Sequence, residues 1–249
     1  MASLYENLGY LPSIILEEDV VNLSCLNHIW KAFEKELQDE LEAFIEKDAD
    51  FGNAGRVREL SEMEYYCGID LGTSSVKVML LGADGAVLGT EAAGYDMIKN
   101  TLRGGAGYGI SLAADKECIR ALLGKHPGAA ADIRGISFSG QMHGMVAVDK
   151  NGKPVRDAVI WADQRSRDAI EHIWDTVSEE EWKRTTLNTP CTGFLISSLL
   201  WMREHEPNLY GETAKVMLPK DYIRFRMCGE IATDVTDASS TGIFDVEKR

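Results

Sequence analysis

Residues 67–89 leave this chain little freedom of fold. Cys67-Gly68-Ile69-Asp70 reads as a strand ending at Asp70, and Gly72-Thr73-Ser74 as a tight turn. A second strand of short apolar residues comes next, and Asp84-Gly85 folds back a third. Gly72 lets backbone N–H groups approach an anion, Thr73 and Ser74 add hydroxyl donors, and Lys77 adds a positive charge. Asp70, at the end of a buried strand, is placed to hold a hydrated divalent metal beside a phosphate. An ordinary hairpin with a polar first turn has the same pattern, so this stretch alone leaves both readings open.

An anion site raises the question of nucleic acid, and the charge balance argues against it. The chain carries 26 Lys and Arg against 40 Asp and Glu. Fifteen of the acidic and five of the basic residues fall within the first 64, so the motif-bearing remainder is nearly neutral. A nucleic-acid surface needs a basic face. Apolar content of 45% suffices for a core, and no run approaches the roughly 20 apolar residues of a membrane span. Cys25, Cys67, Cys118, Cys191 and Cys228 are scattered without CxxC spacing, which indicates neither a zinc site nor a disulfide framework. With no basic region and apolar core at the N-terminus, the expectation is a cytoplasmic protein with reduced thiols and neither membrane nor nucleic-acid partner.

Residues 1–64 differ in character from the rest of the chain. Ile29, Phe33, Leu37, Leu41, Phe44 and Ile45 form a helical stripe flanked by Glu and Lys, and residues 56–63 suit a second short helix. This acidic helical extension either lies on the main domain or a second copy, or binds a partner. Residues 94–115 contain Arg103-Gly104-Gly105-Ala106-Gly107-Tyr108-Gly109, whose spacing fits neither GxxxxGK[ST] nor GxGxxG and predicts a mobile loop.

A helix over 116–123 leads to a strand that enters Gly140-Gln141-Met142-His143-Gly144. Glycines bracketing three side chains at a strand end make a bent, exposed loop, and Gln141 and His143 suit hydroxyl groups. The strand with Trp161-Ala162-Asp163-Gln164-Arg165 comes next; it reads equally as a sugar-binding set or as an interior Trp with an Asp–Arg pair at a helix entry. Ser178 to Glu181 forms a capping box. Further helices are expected over 194–204 and from Pro219, strands over 216–218 and 243–246, and a polar cluster at Asp234, Asp237, Ser239 and Thr241.

Taken together, these pieces resemble the N-terminal domain of the FGGY carbohydrate kinases, a branch of the actin-like ATPase superfamily, and its xylulokinase members most closely. The resemblance spans residues 66–249. It rests on Gly68-Ile69-Asp70-Leu71-Gly72-Thr73-Ser74, on Gly140 to Gly144, on Trp161 to Arg165, and on Leu199-Leu200-Trp201 with His205-Glu206-Pro207. Leu218-Pro219-Lys220-Asp221-Tyr222 and Thr233-Asp234 with Asp237-Ala238-Ser239 complete it. It implies an α/β fold, a ribonuclease-H-like mixed sheet with flanking helices, preceded here by the helical extension. It implies ATP and Mg2+ as cofactors and a small-molecule ketose, most similar to D-xylulose, as substrate. Asp70 would sit by the metal, Gly72, Thr73, Ser74 and Lys77 by the phosphates, and Gln141, Met142, His143 and Trp161 by the sugar. Asp163 and Arg165 match a family position without an assigned contact.

The chain departs from the family pattern at three places. The family's catalytic carboxylate lies in a Gly-Gly-Asp-Asn segment that this sequence does not contain, so the expectation is an incomplete kinase with no catalytic residue of its own and a cleft face open to self-association. The glycine-rich stretch replaces an acidic segment containing Trp and Gln, as an out-of-frame reading of that interval would. Ser198 stands where many members carry lysine. A non-catalytic interaction protein built on a kinase half is the other reading.

Overall fold

The computed structural model describes residues 64–95, 97–102, 105–110 and 115–248. The N-terminal extension, with the two helices expected in it, lies outside these residues. The hairpin forms as its pattern predicts. Strand β1 (Tyr65–Leu71) pairs antiparallel with β2 (Ser75–Gly82), and β2 with β3 (Val87–Gly94). The Asp84 carboxylate accepts the Ala86 N–H at 2.9 Å, and Gly85 takes φ +82°. β1 also pairs in parallel with β6 (Ile133–Gly140), giving a mixed sheet of order β3-β2-β1-β6.

Alternation decides which face is covered. Tyr65, Cys67, Ile69 and Leu71 of β1 and Val76, Val78 and Leu80 of β2 are all buried. They pack against Cys118, Ile119, Leu122 and Leu123 of helix α1 (Asp115–Lys125) and Tyr222 and Ile223 of a later helix. Burial pushes the Cys67 thiol up to about 11, so it behaves as a small core residue. The opposite face carries Gly68, Asp70, Lys77, Met79, Ser137 and Ser139, and they line an open groove of about 620 Å3.

The glycine-rich stretch is not an open loop. β4 (Met97–Leu102) and β5 (Gly105–Ile110) pair from Met97↔Ile110 to Leu102↔Gly105, and β5 joins β8 (Ala158–Val159) through Gly109↔Val159 and Ile110↔Ala158. Glycine's low strand propensity hides a period of two, with Gly105, Gly107 and Gly109 alternating with Ala106, Tyr108 and Ile110.

Much of the rest of the chain builds a second core, while the helix from Pro219 packs on the first. Helices α2 (Arg167–Thr176), α3 (Glu179–Thr186), α4 (Leu195–His205) and α5 (Pro207–Glu212) precede β9 (Lys215–Met217), α6 (Pro219–Cys228) and α7 (Val235–Ala238). The Ser178 hydroxyl accepts the Glu181 N–H at 3.2 Å, as the capping box requires. Ile173, Trp182, Ile196, Leu199 and Met202 are fully buried together. Residues 243–246, expected as a strand, carry no strand pairing; Val246 instead donates its N–H to the Thr185 carbonyl at 3.0 Å. Between the cores runs β7 (Val146–Val148), paired with β9. Val146 and Val148 face the first core, while Met145 and Ala147 face the second.

Candidate active site

Two loops leave the same edge of the sheet. Because β1 and β6 are parallel, Asp70 lies opposite Ser139 and Leu71 opposite Gly140, and the Gln141 N–H donates to the Leu71 carbonyl at 2.7 Å. The turn at 72–74 and the loop at 141–144 therefore emerge side by side at carboxyl strand ends, where open α/β sheets place ligands.

In the first loop, the Gly72 N–H closes the turn on the Ser75 carbonyl at 2.9 Å. A Cβ on Gly72 would lie 3.0 Å from that same oxygen, a tight contact that glycine avoids. The amide of Gly72 is thus satisfied inside the turn, and an anion here meets Thr73, exposed Ser74 and exposed Lys77 instead. Asp70 pairs in register with Lys77 across the hairpin; it is exposed and has no hydrogen-bond or ion-pair partner among the described residues. An open carboxylate beside hydroxyls and an ammonium fits a hard, hydrated cation with its phosphate. Tyr95 was not anticipated. Its hydroxyl donates to the Gly72 carbonyl, with the Ser75 carbonyl 3.4 Å away, and its own N–H donates to the Ser74 carbonyl at 3.0 Å. Burial and then the Asp70 charge push the Tyr95 hydroxyl up to about 12, so it stays a donor. The sequence signal was an aromatic ring directly after the small residues that close β3.

The second loop is polar and strained. His143 takes φ +58°, uncommon for a non-glycine residue and often associated with a functional constraint. Its ring stacks on Phe194 with centroids 4.0 Å apart, and its Nδ1 is buried without a partner among the described residues. Burial lowers its pKa from 6.5, against a hydrogen bond to the Ser240 backbone and the Asp237 charge, so the neutral ring is favoured. Gln141 is only 7% exposed, yet among the described residues both its amide atoms lack partners. Orphaned buried polar atoms in a native fold call for an explanation, and a bound polyhydroxyl molecule supplies one. Met142 projects into solvent.

Trp161 reaches the first loop from a third segment. Its indole N–H donates to Thr73 Oγ1 at 3.0 Å, and its ring stays 43% exposed. Asp163 and Arg165 do not share this surface. They are 0% and 2% exposed, and the guanidinium binds both carboxylate oxygens at 2.8–2.9 Å while lying over Trp201. The segment divides between its two readings: Asp163 and Arg165 form the pair at the helix entry, while Trp161 is exposed and not interior.

Behind His143, buried Lys220 gathers three carboxylates: Asp234 at 2.7 Å, Asp221 at 2.8 Å and Asp237 at 3.2 Å. Burial would lower the Lys220 pKa, but Asp221 and Asp234 outweigh it and hold it raised.

The sequence profile of the FGGY family of carbohydrate kinases, N-terminal domain, matches residues 65–249. The chain belongs to the FGGY family of carbohydrate kinases. This FGGY domain is 35% identical to the xylulose kinase of Staphylococcus xylosus over 190 residues, which cover 74% of the chain and 38% of that relative. It is 36% identical to the xylulose kinase of Bacillus subtilis (strain 168) over 192 residues, 75% of the chain and 38% of the relative. The crystal structure of a xylulose kinase from Brucella ovis superposes with a TM-score of 0.66 at 28% identity, covering 73% of the chain and 37% of that structure. The chain thus spans well under half the length of the relatives it matches. Its mixed sheet with flanking helices is the actin-like ATPase fold of these kinases. Among the described residues, no helix is long and apolar enough to cross a membrane.

Proposed function

We propose that this FGGY domain forms the sugar-facing and phosphate-facing wall of an ATP-dependent ketose kinase, with D-xylulose as the substrate. One observation carries the reading: the parallel pairing of β1 with β6 sets the Thr73–Ser74–Lys77 turn beside the Gln141–His143 loop, and the exposed Trp161 donates its indole N–H to Thr73 of that turn at 3.0 Å. The kinship to xylulose kinases supports the choice of ketose.

In the proposed reaction, the ketose hydroxyl oxygen bonds to the γ-phosphorus of ATP while the bond to the β,γ-bridging oxygen breaks. The hydroxyl proton passes to a carboxylate, which the family resemblance assigns to a segment outside these 249 residues. Asp70 would hold Mg2+, which neutralises phosphate charge. Thr73, Ser74 and Lys77 orient the phosphates, and neutral His143 with Gln141 donates to and accepts from the sugar hydroxyls. Catalysis on this wall is positioning and charge neutralisation.

The test is ligand binding by the purified chain. His143→Ala should weaken D-xylulose by the cost of about one buried hydrogen bond, roughly 1–3 kcal/mol, and leave magnesium tripolyphosphate nearly unaffected. Asp70→Asn should do the reverse. Equal losses for both ligands in either variant would show that the two half-sites are wrongly assigned.

A further inference from the structure

We propose that Trp161 is a positioning residue that couples ketose binding to phosphate binding through its hydrogen bond to Thr73; this rests on the kinase reading above. The chemistry of the pair is one-directional. An indole N–H only donates, so Thr73 Oγ1 accepts at 3.0 Å. With that lone pair taken, the Thr73 hydroxyl proton points away from the indole and remains to be donated elsewhere. Among the described residues the Thr73 hydroxyl donates to no acceptor; its one hydrogen bond is the one it accepts from Trp161. A phosphate oxygen beside Ser74 and Lys77 is the acceptor the arrangement lacks.

The other end of Trp161 is fixed to the sugar loop. Gly193 has φ +78°, and a Cβ there would lie 2.1 Å from the Trp161 carbonyl oxygen and 2.6 Å from its carbon. The Gly193 carbonyl in turn accepts the N–H of Gly144, the residue after His143, at 3.1 Å. Met145 and Val159 exchange backbone hydrogen bonds of 2.8 and 2.9 Å just beyond. Direct contacts therefore run from His143 through Gly144, Gly193 and Trp161 to Thr73. A ketose lying on the exposed indole face removes water from it, and a hydrogen bond in a drier setting strengthens. The Thr73 donor is then held more firmly when sugar is present, and by linkage phosphate favours the sugar to the same degree. The consequence is a phosphate turn that is held more rigidly when an acceptor hydroxyl is there to receive the group than when only water is.

The experiment titrates the chain with D-xylulose in the presence and absence of magnesium tripolyphosphate, a probe that carries the phosphates without the base. The probe should tighten D-xylulose binding by about fivefold or more, with the sugar tightening the probe by the same factor. Trp161→Phe keeps a ring and loses the N–H; Thr73→Val keeps the shape and loses the hydroxyl. In both, the two affinities should become independent, and Thr73→Ser should restore the dependence. Each variant is its own reference, so a general loss of stability or affinity does not move the ratio. The difference emission between wild type and Trp161→Phe reports on the indole directly. It should shift on adding tripolyphosphate in wild type and Thr73→Ser, and stay put in Thr73→Val. An unchanged ratio in Trp161→Phe and Thr73→Val, or no mutual dependence in wild type while both ligands bind, overturns the coupling. An emission shift with tripolyphosphate in a chain that binds no ketose supports the phosphate end of the bridge and overturns the ketose reading instead.

Discussion

Replacing Lys220 by methionine should be among the most damaging single changes in this domain, and its cost should depend on pH in a specific direction. Methionine fills much of the apolar stem's volume, so the change isolates the charge. The three carboxylates around Nζ are not equivalent. The Lys220 side chain is 8% exposed and that of Asp221 5%, whereas Asp234 is 51% exposed and Asp237 24%. The Asp234 pair counts as a surface pair, about 0.2–1 kcal/mol. The Asp221 pair is buried, and removing one partner of a buried pair costs about 3–5 kcal/mol because a charge is left uncompensated. The expected loss is thus dominated by Asp221, on the order of 3–5 kcal/mol at pH 7 in urea unfolding. Burial already raises the Asp221 pKa above 3.8 against the pull of Lys220. Without the lysine it rises further, so folded Asp221 binds a proton more readily than unfolded Asp221, and the penalty should shrink from pH 7 to pH 5. Asp234 does not confuse this window. Burial works against the lowering, but the Lys220 bond and backbone N–H groups hold its pKa at about 2, so its contribution is present above 3.8 and lost only as pH falls toward 2. A loss below about 1 kcal/mol at pH 7, the range of exposed pairs, or a penalty that grows toward pH 5, would refute the assignment of Asp221 as the deciding partner.

Tyr95→Phe should cost about 0.5–1.5 kcal/mol in thermal or urea unfolding through the lost hydrogen bond to Gly72, and weaken tripolyphosphate more than D-xylulose. Gly193→Ala should cost on the order of 1–3 kcal/mol from backbone strain alone, with the clash at the Trp161 carbonyl added, and should alter Trp161 emission. D-xylulose affinity should stay level from pH 8 down to 6.5 and decline only below it, because burial lowers the His143 pKa from 6.5; a decline that begins above 6.5 would place a different group at the sugar. Amide exchange should be slower at Gly109 and Ile110, which pair with both β4 and β8, than in an unstructured glycine-rich loop.

Much of this architecture is legible in the sequence because it is local. The β1–β2–β3 hairpin is written in alternating residues and an Asp84-Gly85 turn, and α3 announces itself through Ser178 and Glu181. The position of Asp70, Thr73 and His143 at or just beyond strand ends is legible because glycine-containing motifs mark those turns. What escapes is whatever depends on residues far apart in the chain. Nothing near Tyr95 says that its hydroxyl will reach back to Gly72, and nothing near Gly193 says that it must clear the backbone of Trp161. The β4–β5 hairpin is hidden for a different reason: glycine carries no side chain by which a strand face can be read, so an alternation of Gly with Ala, Tyr and Ile looks like a linker. Residues 243–246 show the converse, an apolar run with strand character that finds no neighbouring strand to pair with.

The two-sided burial of β7 makes that strand a key cut on both edges. Its neighbouring residues answer to different cores, so a slip of one position would send Val146 and Val148 to the helical side and Met145 and Ala147 to the sheet side. No single compensating substitution can repair an error of that kind, because both cores misfit at once. The spacing from His143 to Val148 is therefore locked as a count of residues, and the sugar loop inherits its position from that count. Length should vary more freely instead at Lys150-Asn151, the exposed tip of the turn that Asp149 closes, since Gly152 already lies against the Phe225 ring.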